Sequence, residues 1–488
     1  MTAASLETGL AFAFYLGATF FFAWLANRRK SGAGFMEDFF VGGRETGAWV
    51  MALTWIATAA SGGTFIGAPS FAYTYGWILL LWISAYMVFA VTGVGMLGKR
   101  IGRIGRATGA LTYPDLMRDR FESKAIGIAS GVAIIFLYTW YVVAQLVAGA
   151  RLLELILDVP YHTGVILFAA VVALYTAYGG FRAVAWTDAF QAVVMLFGIL
   201  LALWFALEKI GGMEAVYAEL ERQDPDLLTG PGPDDFLPLP AAISFMAIYA
   251  LSACGQPSLI SRFLACRDTR TVRRACFLIG AYILLLYPAV MVLGVVGRAL
   301  VPDLEVSDHA TPATILAATP PALAGVLLAA PFAAVMSTVS SYLLVSASAV
   351  VRDLYGRNRG KELGEVQARR LTTLSTFGLA LLALVFALNP PEFLQYIVIF
   401  AGTGLSATFL FPTLFAVYWP RMNRIGCLAG MAGGFLSFVA QYAAWRTRSF
   451  GDFDPFVWSL LISAACSYFG AFLAPPTRKD VLAVYFGD

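Results

Sequence analysis

Runs of roughly 20 apolar residues recur thirteen times along the chain, at about 8–27, 46–73, 76–98, 124–156, 161–179, 184–207, 238–258, 275–298, 321–352, 370–388, 393–418, 425–444 and 455–474. Each is long enough to cross a hydrocarbon layer as a helix. Inside lipid the backbone has no water to bond, so an open spanning segment must satisfy its own amides, and it does so as a helix. The chain is therefore read as an all-α polytopic membrane protein of about 13 transmembrane helices. Only 13% of its residues are charged, roughly half the share of a soluble domain. Nothing between the runs is long enough for a soluble catalytic or sensor module.

Charge placement tests the count. Of the 33 Lys and Arg, 27 fall in segments assigned to the inside, among them the clusters Arg28-Arg29-Lys30, Lys99-Arg100, Arg262 to Arg274, Arg352 to Lys361 and Arg478-Lys479. The other 6 are Arg151, Lys209, Arg222, Arg298, Arg446 and Arg448. A miscounted early span would invert every later loop and destroy this bias. The first charge is Glu7 and no basic stretch precedes the first apolar run, so no cleavable signal peptide is expected. The expected placement is the cell inner (plasma) membrane, multi-pass, with the N-terminus outside and the C-terminus cytoplasmic. The net charge of +3 gives no reason to expect nucleic acid as a partner. Five scattered cysteines without CxxC spacing and two histidines offer no metal framework.

The second apolar run contains Ser61-Gly62-Gly63-Thr64 and then Gly67-Ala68-Pro69. Three glycines and a proline weaken the helical ladder, and Pro69 removes a backbone donor. Freed backbone groups at that depth are tolerated where they line a polar cavity. The stretch reads as a broken helix holding an ion and a solute, or else as a glycine-packed contact with a proline kink. The seventh run repeats the pattern in Ser252-Ala253-Cys254-Gly255-Gln256-Pro257-Ser258. These two runs stand five apart, so interrupted helices occupy matching places in consecutive five-helix halves. An odd number of crossings per half makes such a repeat inverted. The expected organisation is residues 1–30 for a first helix and 36–207 for a first repeat broken near 61–69. An external loop over 208–236 follows, then a second repeat over 237–420 broken near 252–258. Two final helices and a cytoplasmic tail occupy 421–488.

On the ninth run Ala334, Ser337, Thr338 and Ser341 form one helical stripe, with Ser340 beside it. Hydroxyls next to exposed carbonyls suit a small hard cation, although small residues and back-bonded hydroxyls also serve helix packing. Asp188 is the clearest carboxylate inside a span, where ionisable groups are costly and commonly mark ion routes. A helix-start carboxylate, or one paired with Arg182, is the competing reading. With one good titratable candidate in the spans, sodium is favoured over a proton as driving ion. Tyr141 and Gln145 lie one turn apart and could face a polar cavity or simply pack.

Several ordered strings resemble the sodium/solute symporter family. They are Phe39-Phe40-Val41-Gly42-Gly43-Arg44, the broken second run, Gly180-Phe181-Arg182-Ala183-Val184-Ala185-Trp186-Thr187-Asp188, Gly255-Gln256-Pro257, Ala334-Val335-Met336-Ser337-Thr338 and Arg352-Asp353-Leu354-Tyr355. Within the family the chain is similar to the sodium/pantothenate group, on Gly149-Ala150-Arg151-Leu152-Leu153-Glu154, Tyr175 to Ala183 and Arg298 to Leu304. The resemblance implies the fold of the bacterial leucine transporter: a 5+5 inverted-repeat core, here with one extra helix before it and two after. It implies a sodium site of backbone oxygens from Ala57, Ala60 and Ala334 with the hydroxyls of Ser337 and Thr338. Some relatives have a second sodium site, for which Asp188, Ser337, Ser340 and Ser341 match here. Ser61, Gly62, Gly63, Thr64, Phe65, Tyr141, Gln145, Tyr249, Ser252 and Gln256 are the expected solute contacts. Proline-transporting relatives carry an aspartate at the place of Ala59, a tryptophan at that of Gly63 and a tyrosine at that of Ala253. Gly255-Gln256-Pro257, in contrast, is similar to those relatives.

The expected function is sodium-coupled symport of a small organic solute by alternating access, with pantothenate or a related carboxylate as first choice. Symport of proline or a monocarboxylate is the alternative. The solute carboxylate is expected to dock on free amides at the broken helix ends. The expected partners are sodium, a carboxylate-bearing solute and the lipid bilayer. The chain is expected to act as a monomer and to need no cofactor beyond the coupling ion. A passive channel would call for a symmetric ring of carbonyls or charges. An enzyme would need a nucleophile and base or metal ligands in the spans, and neither pattern is present.

Overall fold

The computed structural model describes residues 3–28, 35–357, 363–390, 393–445 and 450–487. Arg29, Lys30, Arg359, Lys361, Arg446 and Arg448 lie outside the described residues. Among those described, the regular structure is helical, with one isolated bridge between Thr46 and Cys266. Among the described residues, eight helices are long and apolar enough to cross a membrane, and the bent pair Ala48–Ala59 and Gly63–Leu80 makes a ninth. Large apolar side chains such as Phe14, Phe277 and Leu381 stand exposed on the bundle exterior. Water would penalise that surface, whereas lipid accepts it.

The even series of thirteen spans is broken up in detail. The expected span at 8–27 lies within the helix Ala3–Arg28, that at 161–179 is the part of Tyr161–Ile210 before Gly180, and that at 455–474 corresponds to the shorter helix Pro455–Gly470. The span expected at 76–98 is assembled from a 3-10 turn Gly76–Leu80, an α-helix Leu81–Ala90 and a π-helical stretch Val91–Gly98. Its irregularity follows its glycines. A Cβ on Gly93 would lie 2.7 Å from the Cβ of Ala253, so the bare backbone lets this helix approach the second break. The fifth and sixth spans turn at Gly180, whose φ of 62° is open to glycine and strained for other residues.

The ninth span runs Pro321–Gly356, as its sequence suggests, with its first turns set off from the rest at Leu328. Pro321–Leu327 is a separate short helix, and Thr8 donates to the Pro321 carbonyl at 3.0 Å. The following helix, Ala329–Ser348, is buried along nearly its whole length. It packs against Ala48–Ala59, Lys124–Leu157 and Tyr161–Ile210. A helix apolar or small on every side belongs at the centre of a bundle. Its hydroxyls are therefore held inside the protein, facing the first broken helix. Outside this core, the 208–236 connection folds back on the bundle through Trp77 stacked on Tyr217 and Tyr75 stacked on Phe236.

Candidate functional site

The first break has a definite shape. The helix Ala48–Ala59 ends where Ala60 takes φ −83° and ψ 99°, and a π-helical stretch Gly63–Gly67 restarts the chain at a bend of 57°. The extended ψ of Ala60 turns its carbonyl out of the helical ladder. At the second break, Ser252–Gly255 winds as a 3-10 turn, Gln256 is extended at φ −100° and ψ 103°, and Pro257 opens the next helix. Both glycine regions thus interrupt their helices inside the bundle.

The hydroxyl helix meets the first break at close range. Ser337 Oγ donates to the Ala57 carbonyl at 2.8 Å and to the Ala334 carbonyl at 3.1 Å. Thr338 Oγ1 lies 3.3 Å from the Ala57 carbonyl and 3.4 Å from that of Thr58. All these residues are buried. The cluster consists of neutral oxygens only, which is the donor chemistry a hard monovalent cation takes. Ala57, Ala334, Ser337 and Thr338 are brought together directly, and Ala60 closes the same helix end.

Asp188 sits in a different arrangement. Its Oδ2 accepts from Thr54 Oγ1 at 2.6 Å and from Arg262 Nη2 at 3.3 Å, while Oδ1 has no hydrogen-bond partner among the described residues. The same Arg262 nitrogen donates to Ser341 Oγ at 2.7 Å. Ser341 Oγ is also 3.1 Å from Thr58 Oγ1, and Ser340 Oγ donates back to the Ser337 carbonyl at 3.0 Å. The partner of Asp188 is therefore Arg262. Arg182 instead reaches Glu45 at 2.9 Å and Asp38 at 3.7 Å. Counting Arg262 among inside loop cations is corrected as well: the helix Pro257–Leu264 carries it into the core, where its side chain is 2% exposed. Sequence spacing cannot tell a cation just beyond a span from one that folds back under it.

A small cavity lies between the two breaks. Seven of the expected solute contacts line it: Ser61, Gly63, Thr64, Tyr141, Tyr249, Ser252 and Gln256. Gly62, Phe65 and Gln145 are not in its wall. Gln145 Oε1 accepts from the Gly62 amide at 2.8 Å, so this residue shapes the break from behind. The expectation of free amides at the first break is also corrected. The Ser61 amide donates to Thr64 Oγ1 at 3.2 Å and the Gly63 amide to Ser61 Oγ at 3.1 Å, so neighbouring side chains already cap the half-helix. Short polar side chains near a helix start do this by preference.

Sequence reasoning missed Tyr86, Tyr342 and Gln395 in the cavity wall. Gln395, a polar residue near the start of an apolar span, carried a readable signal. Tyr86 and Tyr342 carried none, because tyrosines in spans are common as packing. The connection through Ser307–His309 was missed too. Asp308 Oδ2 accepts from the Leu394 amide at 3.0 Å, one residue before Gln395. Burial raises the Asp308 carboxyl to about 6.

The profile described as the sodium:solute symporter family matches residues 39–434. The chain belongs to this family. Two curated relatives are sodium/pantothenate symporters. That of Escherichia coli (strain K12) is 34% identical over 94% of this chain and 95% of its own. That of Haemophilus influenzae is 35% identical over 87% and 88%. The osmoregulated proline transporter of Bacillus subtilis is 29% identical over 92% of both chains. Among solved structures, a Na+-coupled sialic acid symporter in a substrate-bound outward-open state superposes with a TM-score of 0.79 at 18% identity, covering 97% of this chain and 99% of that one. A nucleobase-cation-symport-1 family transporter in a closed conformation gives 0.58 at 14% identity, over 92% and 97%. At these identities the likeness is one of fold, and the fold is of the leucine-transporter type. The protein is a multi-pass membrane transporter.

Proposed function

We propose that the protein couples inward sodium movement to uptake of a small organic carboxylate, pantothenate, by alternating access. One observation carries this reading: the buried oxygen cluster in which Ser337 Oγ lies 2.8 Å from the Ala57 carbonyl, joining the hydroxyl helix to the first break. Sodium enters from outside and replaces the hydroxyl protons at the carbonyls of Ala57 and Ala334, with the Ala60 carbonyl, Ser337 and Thr338 completing its shell. Ion binding ties the two helices together and fixes the wall of the solute cavity beside them. Asp188, Ser340 and Ser341 form the neighbouring station for a second ion, with the unpartnered Asp188 Oδ1 as its ligand.

The cavity wall supports the choice of solute. Among the described residues none of those lining it is charged, and four are tyrosines: Tyr86, Tyr141, Tyr249 and Tyr342. The ammonium of an amino acid would find no carboxylate there, and burying an unpaired charge is costly. A carboxylate is better provided for. It can take the place of Ser61 Oγ at the Gly63 amide after a side-chain rotation, at the positive end of a half-helix. Coupling requires that ion and solute favour the same state, typically by about 1–3 kcal/mol. The repeats at 36–207 and 237–420 then tilt against each other and release both to the cytoplasm. One chain holds the whole site, which supports a monomer working in the inner membrane with its N-terminus outside.

The test is uptake of labelled pantothenate into proteoliposomes under an inward sodium gradient. Saturable, electrogenic accumulation of unchanged solute is expected. Ser337→Ala with Thr338→Ala should remove the sodium stimulation while the protein still inserts. Unchanged sodium dependence in that double variant would reject the assignment.

A further inference from the structure

The helix Thr269–Leu300 carries three arginines, Arg270, Arg273 and Arg274, in its first two turns. All three are exposed. Cations are disfavoured at that end of a helix, where the unpaired amides already carry partial positive charge. Among the described residues none of the three makes an ion pair or a side-chain hydrogen bond. The nearest carboxylate in sequence, Asp268, is already engaged: it accepts from the Thr271 amide at 2.7 Å and from Arg267 Nε at 3.3 Å. The neighbouring helix Lys99–Thr108 spends its arginines differently. Arg100 donates to the Val417 carbonyl at 2.9 Å, Arg103 to that of Tyr485 at 2.9 Å and Arg106 to that of Cys266 at 3.3 Å.

The face that bears the three free arginines continues towards lipid. Positions 270, 273, 274, 277, 281, 284 and 285 recur at helical spacing and are all exposed, while Val272, Ala275, Ile279 and Tyr282 behind them are buried. From Phe277 onward the stripe is apolar, with Phe277 77% and Leu284 60% exposed, a surface that acyl chains cover and water would penalise. At 1.5 Å per residue Phe277 stands only about 5–10 Å beyond the arginines. The guanidinium groups therefore lie at the level where hydrocarbon gives way to headgroups.

We propose that Arg270, Arg273 and Arg274 form a docking site for an anionic phospholipid. One such molecule answers both parts of the stripe: its phosphate sits among the guanidinium groups and its acyl chains lie along Phe277, Leu284 and Leu285. The planar fork of arginine matches phosphate oxygens. A free phosphate would meet the charge and leave the apolar stripe unaddressed. A zwitterionic lipid would cover the stripe and bring its own cation to the arginines. Charge complementarity, joined to an unbroken lipid-facing surface, selects the lipid with net negative charge.

The test counts lipids bound to the purified protein in detergent by native mass spectrometry, with dioleoylphosphatidylglycerol or dioleoylphosphatidylcholine added. The first phosphatidylglycerol should bind the unaltered protein at least about tenfold more tightly than the first phosphatidylcholine, because each cation near a headgroup adds several-fold. With Arg270→Gln, Arg273→Gln and Arg274→Gln together the preference should fall to about twofold or less. Arg369→Gln, Arg370→Gln and Lys479→Gln together remove the same charge elsewhere and should leave the preference within about twofold of its original value. Inorganic phosphate at equal ionic strength should not displace the lipid. Equal losses in the two triple variants would show a diffuse effect of charge and overturn the site. Absence of any preference in the unaltered protein, or displacement by inorganic phosphate, would overturn it as well. Removing three cations beside a span can disturb insertion. Should that happen, Arg273→Gln and Arg274→Gln are made singly; each should lose about threefold in preference, and an unchanged preference in both refutes the proposal.

Discussion

Replacing Asp188 by Asn would leave Arg262 charged in the core. The two side chains are 0% and 2% exposed and 3.3 Å apart, so neither has water to fall back on. Removing one partner of a buried pair costs about 3–5 kcal/mol. The lower end applies here, because Arg262 keeps the Thr54 and Ser258 carbonyls at 3.2 and 2.9 Å and Ser341 Oγ at 2.7 Å. An unfolding entropy of about 2.1 cal/mol/K per residue makes about 1 kcal/mol per degree for a chain of 488 residues. Asp188→Asn should therefore lower the apparent melting temperature by about 3 °C in sodium-free detergent. Arg262→Met should do at least as much, since it strands the carboxylate. The double variant should recover part of the loss, with a coupling of about 2 kcal/mol between the sites. Melting of all four proteins at one scan rate decides the matter. Additivity within about 0.5 kcal/mol would refute the idea that this pair is held as a unit.

Gly62→Ala should insert normally yet lose most uptake. Its Cβ would fall 2.7 Å from the Cβ of Ala148 and 2.9 Å from Gln145 Oε1, forcing the break away from the helix Lys124–Leu157; transport at full rate would contradict this. Asp308 should make stability fall as pH rises. Its carboxyl is raised by burial from 3.8 to about 6, so between those values the folded protein holds a proton that the unfolded chain has released. The stabilisation is complete below about pH 4 and gone above about pH 6. Asp308→Asn keeps an acceptor for the Leu394 amide, and the melting temperature should vary less between pH 4 and 6 than in the unaltered protein.

The sequence by itself determined the class of fold, because apolar runs of bilayer length admit few structures other than helices. It located both breaks from glycine, proline and hydroxyl residues where lipid-facing helices have little use for them. It also placed the hydroxyl stripe, since helical periodicity alone puts Ser337, Thr338 and Ser341 on one face. The tertiary structure decided what those groups meet. Arg262 reads as a loop cation until the helix Pro257–Leu264 carries it under Asp188, and the amides at Gly62 and Gly63 read as free until Gln145 and Ser61 cap them. Gln395 joins the cavity from a span 139 residues beyond Gln256, a juxtaposition that only packing creates. Local backbone chemistry is encoded over a few residues and can be read there. The partner of a buried polar group is set by contacts between distant helices, which no short stretch of sequence specifies.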